Sequence, residues 1–175
     1  MSQTSAEPGG LPPAIDTRAL RQVLRRQARS ESAPWLHQEV ARRMAERLPV
    51  IRQAPERWID WWAHTGGGAP AVQAVWPQAR RLVVEPTPEL LARSRHAPAA
   101  PWWAWGARRR AAEVPAWLSV EVPDGQAQML WANLVLHTAA DPAASLATWH
   151  RALAVDGFLM FSSFGPDTLR ELRAV

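Results

Sequence analysis

Residues 128–173 read QMLWANLVLHTAADPAASLATWHRALAVDGFLMFSSFGPDTLRELR, and this stretch decides the fold. The mostly apolar runs 129–136 and 158–161 within it are short, which is typical of strands buried on both faces of a parallel sheet. Between them Asp141 precedes Pro142, a pair that predicts the first turn of a helix. Two buried strands joined by a helix predict a right-handed crossover, which is the unit of an open α/β sheet.

The same stretch predicts where its elements end. Asp156 and Gly157 are expected to end the helix, because glycine readily adopts the positive φ of a helix C-terminus. The residues from Gly165 onward are expected to break the second strand, and residues 168–173 are predicted to form another helix.

The rest of the chain supplies further elements of the same kind. The predicted helices span about 16–30, 34–48 and 69–76, and the predicted strands include 81–85 and 116–122. Residues 1–14 are rich in Ser, Gly and Pro, which predicts a disordered tail. We therefore expect one α/β domain at 15–175, a length that fits a single domain.

The composition argues against several classes of protein. The chain of 175 residues has no cysteine, which excludes disulfides and thiolate metal ligands, and no other metal-binding motif is present. No apolar run approaches the roughly 20 residues that span a bilayer, and no secretory signal begins the chain, so we predict a cytoplasmic protein without a membrane segment. All 20 basic residues are arginine and the net charge is +4. Because they are spread over several helices, they indicate solvated helix faces and no nucleic-acid groove.

Two segments carry a resemblance to a known family. Residues 161–172 read FSSFGPDTLREL, and residues 38–48 read QEVARRMAERL. Both closely resemble the biotin-pathway malonyl-acyl-carrier-protein O-methyltransferases, which use S-adenosylmethionine (SAM). The resemblance implies a Rossmann-like α/β sheet of about five parallel strands with helices on both faces, SAM as cofactor and an acyl carrier protein as partner. It also implies that the last strands of the family's sheet are missing, because the family continues beyond the position of Val175.

The first strand and the cofactor loop of the family carry the pattern V-L-D-x-G-C-G-T-G. Asp60, Thr65 and Gly66 match this pattern and are the implied cofactor residues there. Trp62 and His64 replace the first two glycines. The loop has to turn sharply and bring its backbone close to the cofactor, which is why small residues suit it. We therefore expect Trp62 to fill space that the methionine moiety needs, or to make the loop refold.

Further cofactor residues follow from the same resemblance. Glu85 ends the second strand, where an acid accepts hydrogen bonds from the ribose hydroxyls. Glu121, or alternatively Asp124, is expected to serve the adenine. Asn133 follows the fourth strand at the carboxyl edge, where open α/β sheets bind their ligands. No catalytic residue is assigned, because methyl transfer to a carboxylate needs positioning more than proton transfer, and His137 is expected to be structural or to line the pocket.

Three functions remain open from the sequence. The first is an enzyme that methylates the free carboxyl of a malonyl thioester. The second is a catalytically inactive methyltransferase-fold protein that binds a carrier protein or another subunit, and the third is a remnant of a longer gene. Trp102, Trp103 and Trp105 are expected to stack on a base or an acyl chain, or to pack over the sheet edge. Trp35 lies nearest to the position of a lid tyrosine in the family, and the sequence predicts no oligomeric state.

Overall fold

The structure is a computed structural model that describes residues 15–95, 114–165, 167, 168 and 170. Its helices are α1 (Thr17–Gln27), α2 (Trp35–Ala45), α3 (Ala63–Gly66), α4 (Ala69–Val75), α5 (Pro88–Arg95) and α6 (Pro142–Ala152). Its strands are β1 (Arg57–Trp61), β2 (Arg80–Glu85), β3 (Ala116–Leu118), β4 (Ala127–Asn133) and β5 (Leu153–Ser162). All five strands pair in parallel in one sheet. This arrangement confirms the predicted Rossmann-like α/β fold.

The order of the strands, β3-β2-β1-β4-β5, creates one point where the direction of winding reverses. This point lies between β1 and β4, which pair with Trp61 level with Ala132. Trp62 and Asn133 therefore follow side by side at the carboxyl edge. In open α/β sheets the crevice outside the carboxyl ends of the strands at such a switch point is where ligands bind.

The core lies on both faces of the sheet, because successive side chains of a strand point to opposite faces. Trp58 and Trp131 face α2 and α4 on one side and are fully buried there. Ile59 and Trp61 face α6 on the other side, where the rings of Trp61 and Trp149 meet edge to face at 5.9 Å. Most residues of β1, β2 and β4 are buried, as expected for strands covered on both faces. β5 differs, because none of its residues is fully buried and Phe161 is 44% exposed, so the predicted burial of residues 158–161 on both faces is wrong.

The predicted helix end at Asp156 and Gly157 is wrong. α6 already ends at Ala152, and both residues lie within β5, where the pairing with β4 changes register. Asp156 has a φ of 62°, and a Cβ on Gly157 would lie 2.8 Å from the carbonyl oxygen of Ala154. The Asp-Gly pair therefore forms an irregularity of the strand, which uses the same conformational freedom as a helix end.

Two predicted strands end earlier than expected. The strand predicted at 116–122 stops at Leu118, because the N–H of Glu121 donates to the Leu118 carbonyl and closes a turn. β4 stops at Asn133, because Leu134 has a left-handed φ of 52°, which an extended strand does not allow. Both changes fall at the carboxyl edge, where the chain leaves the sheet.

The helices predicted at about 16–30, 34–48 and 69–76 are confirmed, with shorter bounds for the first two. Asp16 caps α1 by accepting a hydrogen bond from the N–H of Arg18, and Asp141 caps α6 by accepting one from Ala144. These caps agree with the ordinary preference for aspartate at this position. The predicted tail and most of the predicted helix at 168–173 lie outside the described residues. Within the described residues, no helix is both long and apolar enough to cross a membrane.

Candidate functional site

The carboxyl edge of the sheet brings together five of the six predicted cofactor residues. Asp60, Glu85 and Asn133 end or nearly end three neighbouring strands, and Thr65 and Gly66 lie in α3 directly after β1. All five are buried. Glu121 differs, because it is exposed in the turn after β3, and no hydrogen bond or ion pair among the described residues joins its side chain to the other five.

Asp60 forms an ion pair with Arg81. Its Oδ2 accepts hydrogen bonds from Arg81, with the guanidinium nitrogens at 2.7 and 2.8 Å. Burial raises the pKa of Asp60, and the positive charge of Arg81 opposes that rise. The second oxygen, Oδ1, is buried without a hydrogen-bond partner among the described residues.

Glu85 is held through one oxygen of its carboxyl group. Its Oε1 accepts a hydrogen bond from the backbone N–H of His64 at 2.8 Å and another from the Ser94 hydroxyl. Its Oε2 is buried and has no partner in the described part of the chain. Burial is the largest cause that raises the pKa of Glu85 to about 7, and the hydrogen bonds from Ser94 and His64 oppose it. Glu85 therefore combines a fixed orientation with a free acceptor at the end of β2.

Asn133 connects three separate elements. Its Nδ2 donates to the carbonyls of His37 and Gly66, both at 2.7 Å, and its Oδ1 accepts from the Ser162 hydroxyl at 2.7 Å. Both amide hydrogens are therefore used inside the protein. In this arrangement Asn133 holds α2, α3 and β5 at the end of β4, and it offers a ligand only the remaining acceptor capacity of Oδ1.

Trp62 has the backbone conformation that favours glycine. Its φ of 56° and ψ of 53° lie in the left-handed region, which costs an ordinary residue roughly 1–2 kcal/mol. Two backbone hydrogen bonds fix this turn. The N–H of Trp62 donates to the Val84 carbonyl at 2.6 Å, and the Trp62 carbonyl accepts from the N–H of Gly66 at 2.8 Å. His64 is different, because it lies inside the short helix α3, where glycine is not required. Of the two glycine replacements, only Trp62 is therefore strained.

The indole of Trp62 lies across the carboxyl edge. Its Nε1 donates to the Ser119 hydroxyl at 3.3 Å, and that hydroxyl donates to the backbone carbonyl of Glu85 at 3.2 Å. A crevice of about 240 Å³ remains beside the indole. It is lined by Trp61, Trp62, Pro86, Ser119, Val135 and Trp149, among others. The indole thus extends from the end of β1 past the end of β2 to the turn after β3. The prediction that Trp62 takes up ligand space stays a prediction, and the structure shows that its indole lies over the ends of β2 and β3.

Two histidines lie near the end of β4. Burial lowers the pKa of His37 and is also the main cause that lowers the pKa of His137, with the proximity of His37 adding to it. The rings of His137 and Phe164 are 4.4 Å apart. The lowered pKa values favour the neutral form of both rings, and the contact with Phe164 agrees with a structural role for His137.

A larger cavity of about 700 Å³ lies on the face that α2, α4 and α5 cover. Arg42, Arg81 and Arg93 line it together with His64 and Ser94. Each arginine is already engaged: Arg42 with glutamates of α2, Arg81 with Asp60 and Arg93 with a backbone carbonyl. The cavity therefore borders the groups that hold Glu85, but its cations are neutralised or capped by the protein itself.

The remaining sequence predictions give little more about the site. Trp35 is 77% exposed on α2 and does not cover the carboxyl edge. Trp102, Trp103 and Trp105 lie outside the described residues. No group of His, Asp or Glu side chains in the described part of the chain is arranged to hold a metal ion.

Sequence comparison finds relatives that are longer than this chain. The malonyl-[acyl-carrier protein] O-methyltransferase of Laribacter hongkongensis is 38% identical over 148 residues, which are 82% of this chain and 49% of that enzyme. The protein of the same name from Gallionella capsiferriformans is 33% identical over 165 residues, which are 91% of this chain and 55% of the relative. The chain thus spans about half the length of the curated relatives that it matches. No family model matches it.

Structural comparison finds the same type of sheet in solved methyltransferases. The plantazolicin methyltransferase BpumL in complex with SAH superposes with a TM-score of 0.58 and is 10% identical, over 91% of this chain and 59% of that one. A complex of BpumL with a pentazolic desmethylPZN analog and SAH gives a TM-score of 0.59. At this level of identity the likeness concerns the fold alone.

Proposed function

We propose, from the premise that this chain is a relative of the malonyl-[acyl-carrier protein] O-methyltransferases, that it forms the cofactor-binding part of such an enzyme. The proposed reaction transfers a methyl group from SAM to the free carboxyl of a malonyl thioester on an acyl carrier protein. A cytoplasmic location belongs to the same proposal, because fatty-acid carrier proteins are expected there.

The main support for this proposal is the unpaired side-chain oxygen of Glu85. Its Oε2 is buried at the end of β2 without a partner, and an unsatisfied buried acceptor costs roughly 1–3 kcal/mol. The two hydroxyls of a ribose are donors that satisfy such an oxygen. The orientation of the carboxyl group is already set by the bonds from His64 and Ser94. An acceptor held in this way at the carboxyl edge, one strand from the switch point, supports a nucleoside cofactor.

The crevice, however, does not fit SAM as it stands. Its volume of about 240 Å³ is below the roughly 300–1,000 Å³ of ordinary ligand pockets, and Trp62 is one of the residues that line it. Among the buried proposed cofactor residues, Glu85 and Asp60 each keep one side-chain oxygen without a hydrogen-bond partner in the described part of the chain. Thr65 donates its hydroxyl to the Trp62 carbonyl, and Asn133 donates both amide hydrogens to the backbone. Asp60, Thr65, Gly66, Glu121 and Asn133 therefore remain proposed cofactor residues, with Glu85 the best supported.

The helix α1 supports an acidic carrier protein as partner. It contains no acidic residue, and it carries four exposed arginines, namely Arg18, Arg21, Arg25 and Arg26. α1 also lies beside the proposed cofactor loop, since the Gln27 carbonyl is 3.1 Å from Nε2 of His64. α2 differs, because its Arg42 and Arg43 form ion pairs with Glu39. A positive helix next to the site attracts an acidic protein and orients it during association.

Calorimetric titration with S-adenosylhomocysteine, the unreactive product, tests the cofactor part of the proposal. We expect weak but saturable binding to the purified chain. At pH 8, where the Glu85 carboxyl group is mostly ionised, Glu85→Gln should weaken it by about tenfold, which is about 1.4 kcal/mol, because a charged acceptor is lost. Glu56→Gln is the matched control, because Glu56 is exposed at the amino end of β1. Absence of binding at millimolar concentration contradicts the proposal.

Binding of a purified malonyl-acyl carrier protein tests the partner. Arg25→Glu combined with Arg26→Glu should weaken the complex at low ionic strength, and the difference should fade as salt screens the charges. Arg52→Glu, which reverses an exposed charge before β1, is the control. Equal binding of all variants argues against α1 as the docking helix. Carrier-protein binding without S-adenosylhomocysteine binding would favour the inactive binding protein over the enzyme.

A further inference from the structure

Trp62 is one of three non-glycine residues with a positive φ in the described part of the chain. The other two are Leu134, which follows β4, and Asp156 in β5. Trp62 and Leu134 therefore place left-handed residues at both sides of the switch point. Only Trp62 combines this conformation with a side chain that lies over the ends of two further strands. The favourable contacts of the Trp62 indole therefore have to offset the free-energy cost of its left-handed backbone conformation.

The contacts of the indole explain that balance. The ring packs against the apolar cluster that β1, β2, β4 and α6 form, and its N–H is satisfied by Ser119. Ser119 passes the hydrogen bond on to the backbone of Glu85, which is the residue that ends β2. The indole is therefore fixed to the same segment that presents the proposed nucleoside acceptor.

The crevice lies directly beside this side chain. Trp62 forms one wall of the 240 Å³ space, and the remaining lining is mostly apolar, with Pro86, Val135 and Trp149 opposite or beside it. A flat aromatic wall and an apolar lining suit a purine base, and the crevice reaches Pro86, the residue that follows Glu85. The space beside the indole is too small to admit one while the indole stays in place.

We propose that Trp62 is the gate of this crevice, and that its side chain sets the affinity of the carboxyl edge for an adenine nucleoside thioether such as S-adenosylhomocysteine. This inference rests on the proposed function, because it concerns the same cofactor site. Ligand and indole compete for one place, so the ligand binds only when the contact between Trp62 and Ser119 is broken. Removing the indole removes this competition.

Trp62→Gly is the direct test, because glycine accepts the left-handed backbone without strain. Trp62→Asn is a second variant, since asparagine tolerates this conformation and has a much smaller side chain. Trp76→Phe is the matched control, because Trp76 follows α4 at the opposite, amino edge of the sheet. Binding of S-adenosylhomocysteine is measured by calorimetry, and circular dichroism verifies that each variant is folded.

We expect Trp62→Gly to bind S-adenosylhomocysteine at least tenfold more tightly than the unaltered chain, which is about 1.4 kcal/mol. Trp62→Asn should also gain affinity, and Trp76→Phe should not. Equal affinities of the unaltered chain and both Trp62 variants would overturn the gate and leave the proposed function standing. Binding by the variants alone would support the gate and contradict cofactor binding by the natural chain. Absence of binding by every folded protein would overturn both.

Discussion

Replacing Glu85 by glutamine should remove a specific pH dependence from the stability of this protein. Burial raises the pKa of Glu85 from its ordinary 4.5 to about 7. In the folded state the carboxyl group therefore keeps its proton at pH values where the unfolded chain has lost it. The free energy of unfolding then falls as the pH rises from about 4.5 to about 7. Glutamine resembles protonated glutamate in shape and does not titrate.

The magnitude follows from the two pKa values. The difference between 4.5 and about 7 is worth about 3 kcal/mol in total, and about 2.5 kcal/mol of it is lost between about pH 5 and about pH 8. Asp60, whose pKa is also raised by burial, adds a dependence of the same sign. That part is present in both proteins, so most of it cancels when the two are compared, although the charges of Asp60 and Glu85 influence each other. The unaltered chain should thus lose about 2.5 kcal/mol more than Glu85→Gln over this range.

Urea unfolding followed by circular dichroism at several pH values measures this difference. Comparing slopes with pH also cancels any constant effect of the new amide group. Glu56→Gln, at the exposed amino end of β1, should follow the unaltered chain at every pH. Parallel curves for the unaltered chain and Glu85→Gln would refute the reasoning, because they would mean that Glu85 is ionised with an ordinary pKa inside the folded protein.

Three further substitutions have defined outcomes in the same unfolding assay. Asn133→Ala removes three buried hydrogen bonds and should cost about 3 kcal/mol, and a loss below about 1 kcal/mol would contradict the connecting role of this residue. Arg81→Met leaves the Asp60 carboxylate buried without its partner and should cost about 3–5 kcal/mol at neutral pH. The cost should be smaller in acid, where the carboxyl group is protonated. Arg80→Met, at the exposed neighbouring arginine of β2, should cost little. Gly157→Ala places a Cβ 2.8 Å from a backbone oxygen and should cost about 1–3 kcal/mol, while Gly165→Ala enters open space and should stay within about 0.5 kcal/mol.

The fold could be predicted from the sequence because its signals are local and repeated. Short apolar runs, the Asp-Pro start of α6 and the alternation of strands with helices each point to a parallel sheet. The wrong end for α6 came from Asp156 and Gly157, because a positive φ serves a helix end and a strand irregularity equally well. A sequence pattern alone does not separate those two uses.

The positions of the proposed site residues were predicted in part. The resemblance indicated Glu85 and Asn133 at the carboxyl edge, and the structure places both there. It did not indicate that Asn133 donates both amide hydrogens to backbone carbonyls, or that Arg81 forms an ion pair with Asp60, because those contacts join residues distant in the chain. Arg81 and Glu85 are four residues apart on one strand and hence on one face, which is a signal that could have linked Arg81 to the site.

His37 and Ser119 gave no signal in the sequence. His37 is one residue before the segment that resembles the family, and its carbonyl, not its ring, contacts Asn133. Ser119 is a small polar residue in a turn, and only the direction of the Trp62 indole shows what it does. A sequence pattern does not reveal a residue that contributes only its backbone carbonyl, as His37 does. It also does not reveal a residue such as Ser119, whose role depends on the left-handed conformation of Trp62.

The three hydrogen bonds of Asn133 also determine how the protein opens. The side chain of Asn133 is hydrogen-bonded to α2, α3 and β5. Separation of any of these elements from β4 therefore breaks a hydrogen bond of the same side-chain amide group. Local fluctuations of the three segments are consequently coupled into one cooperative unit. The backbone amides around Gly66 and Leu134 should therefore exchange with solvent in a single opening event, as one foldon and not as separate frayed ends.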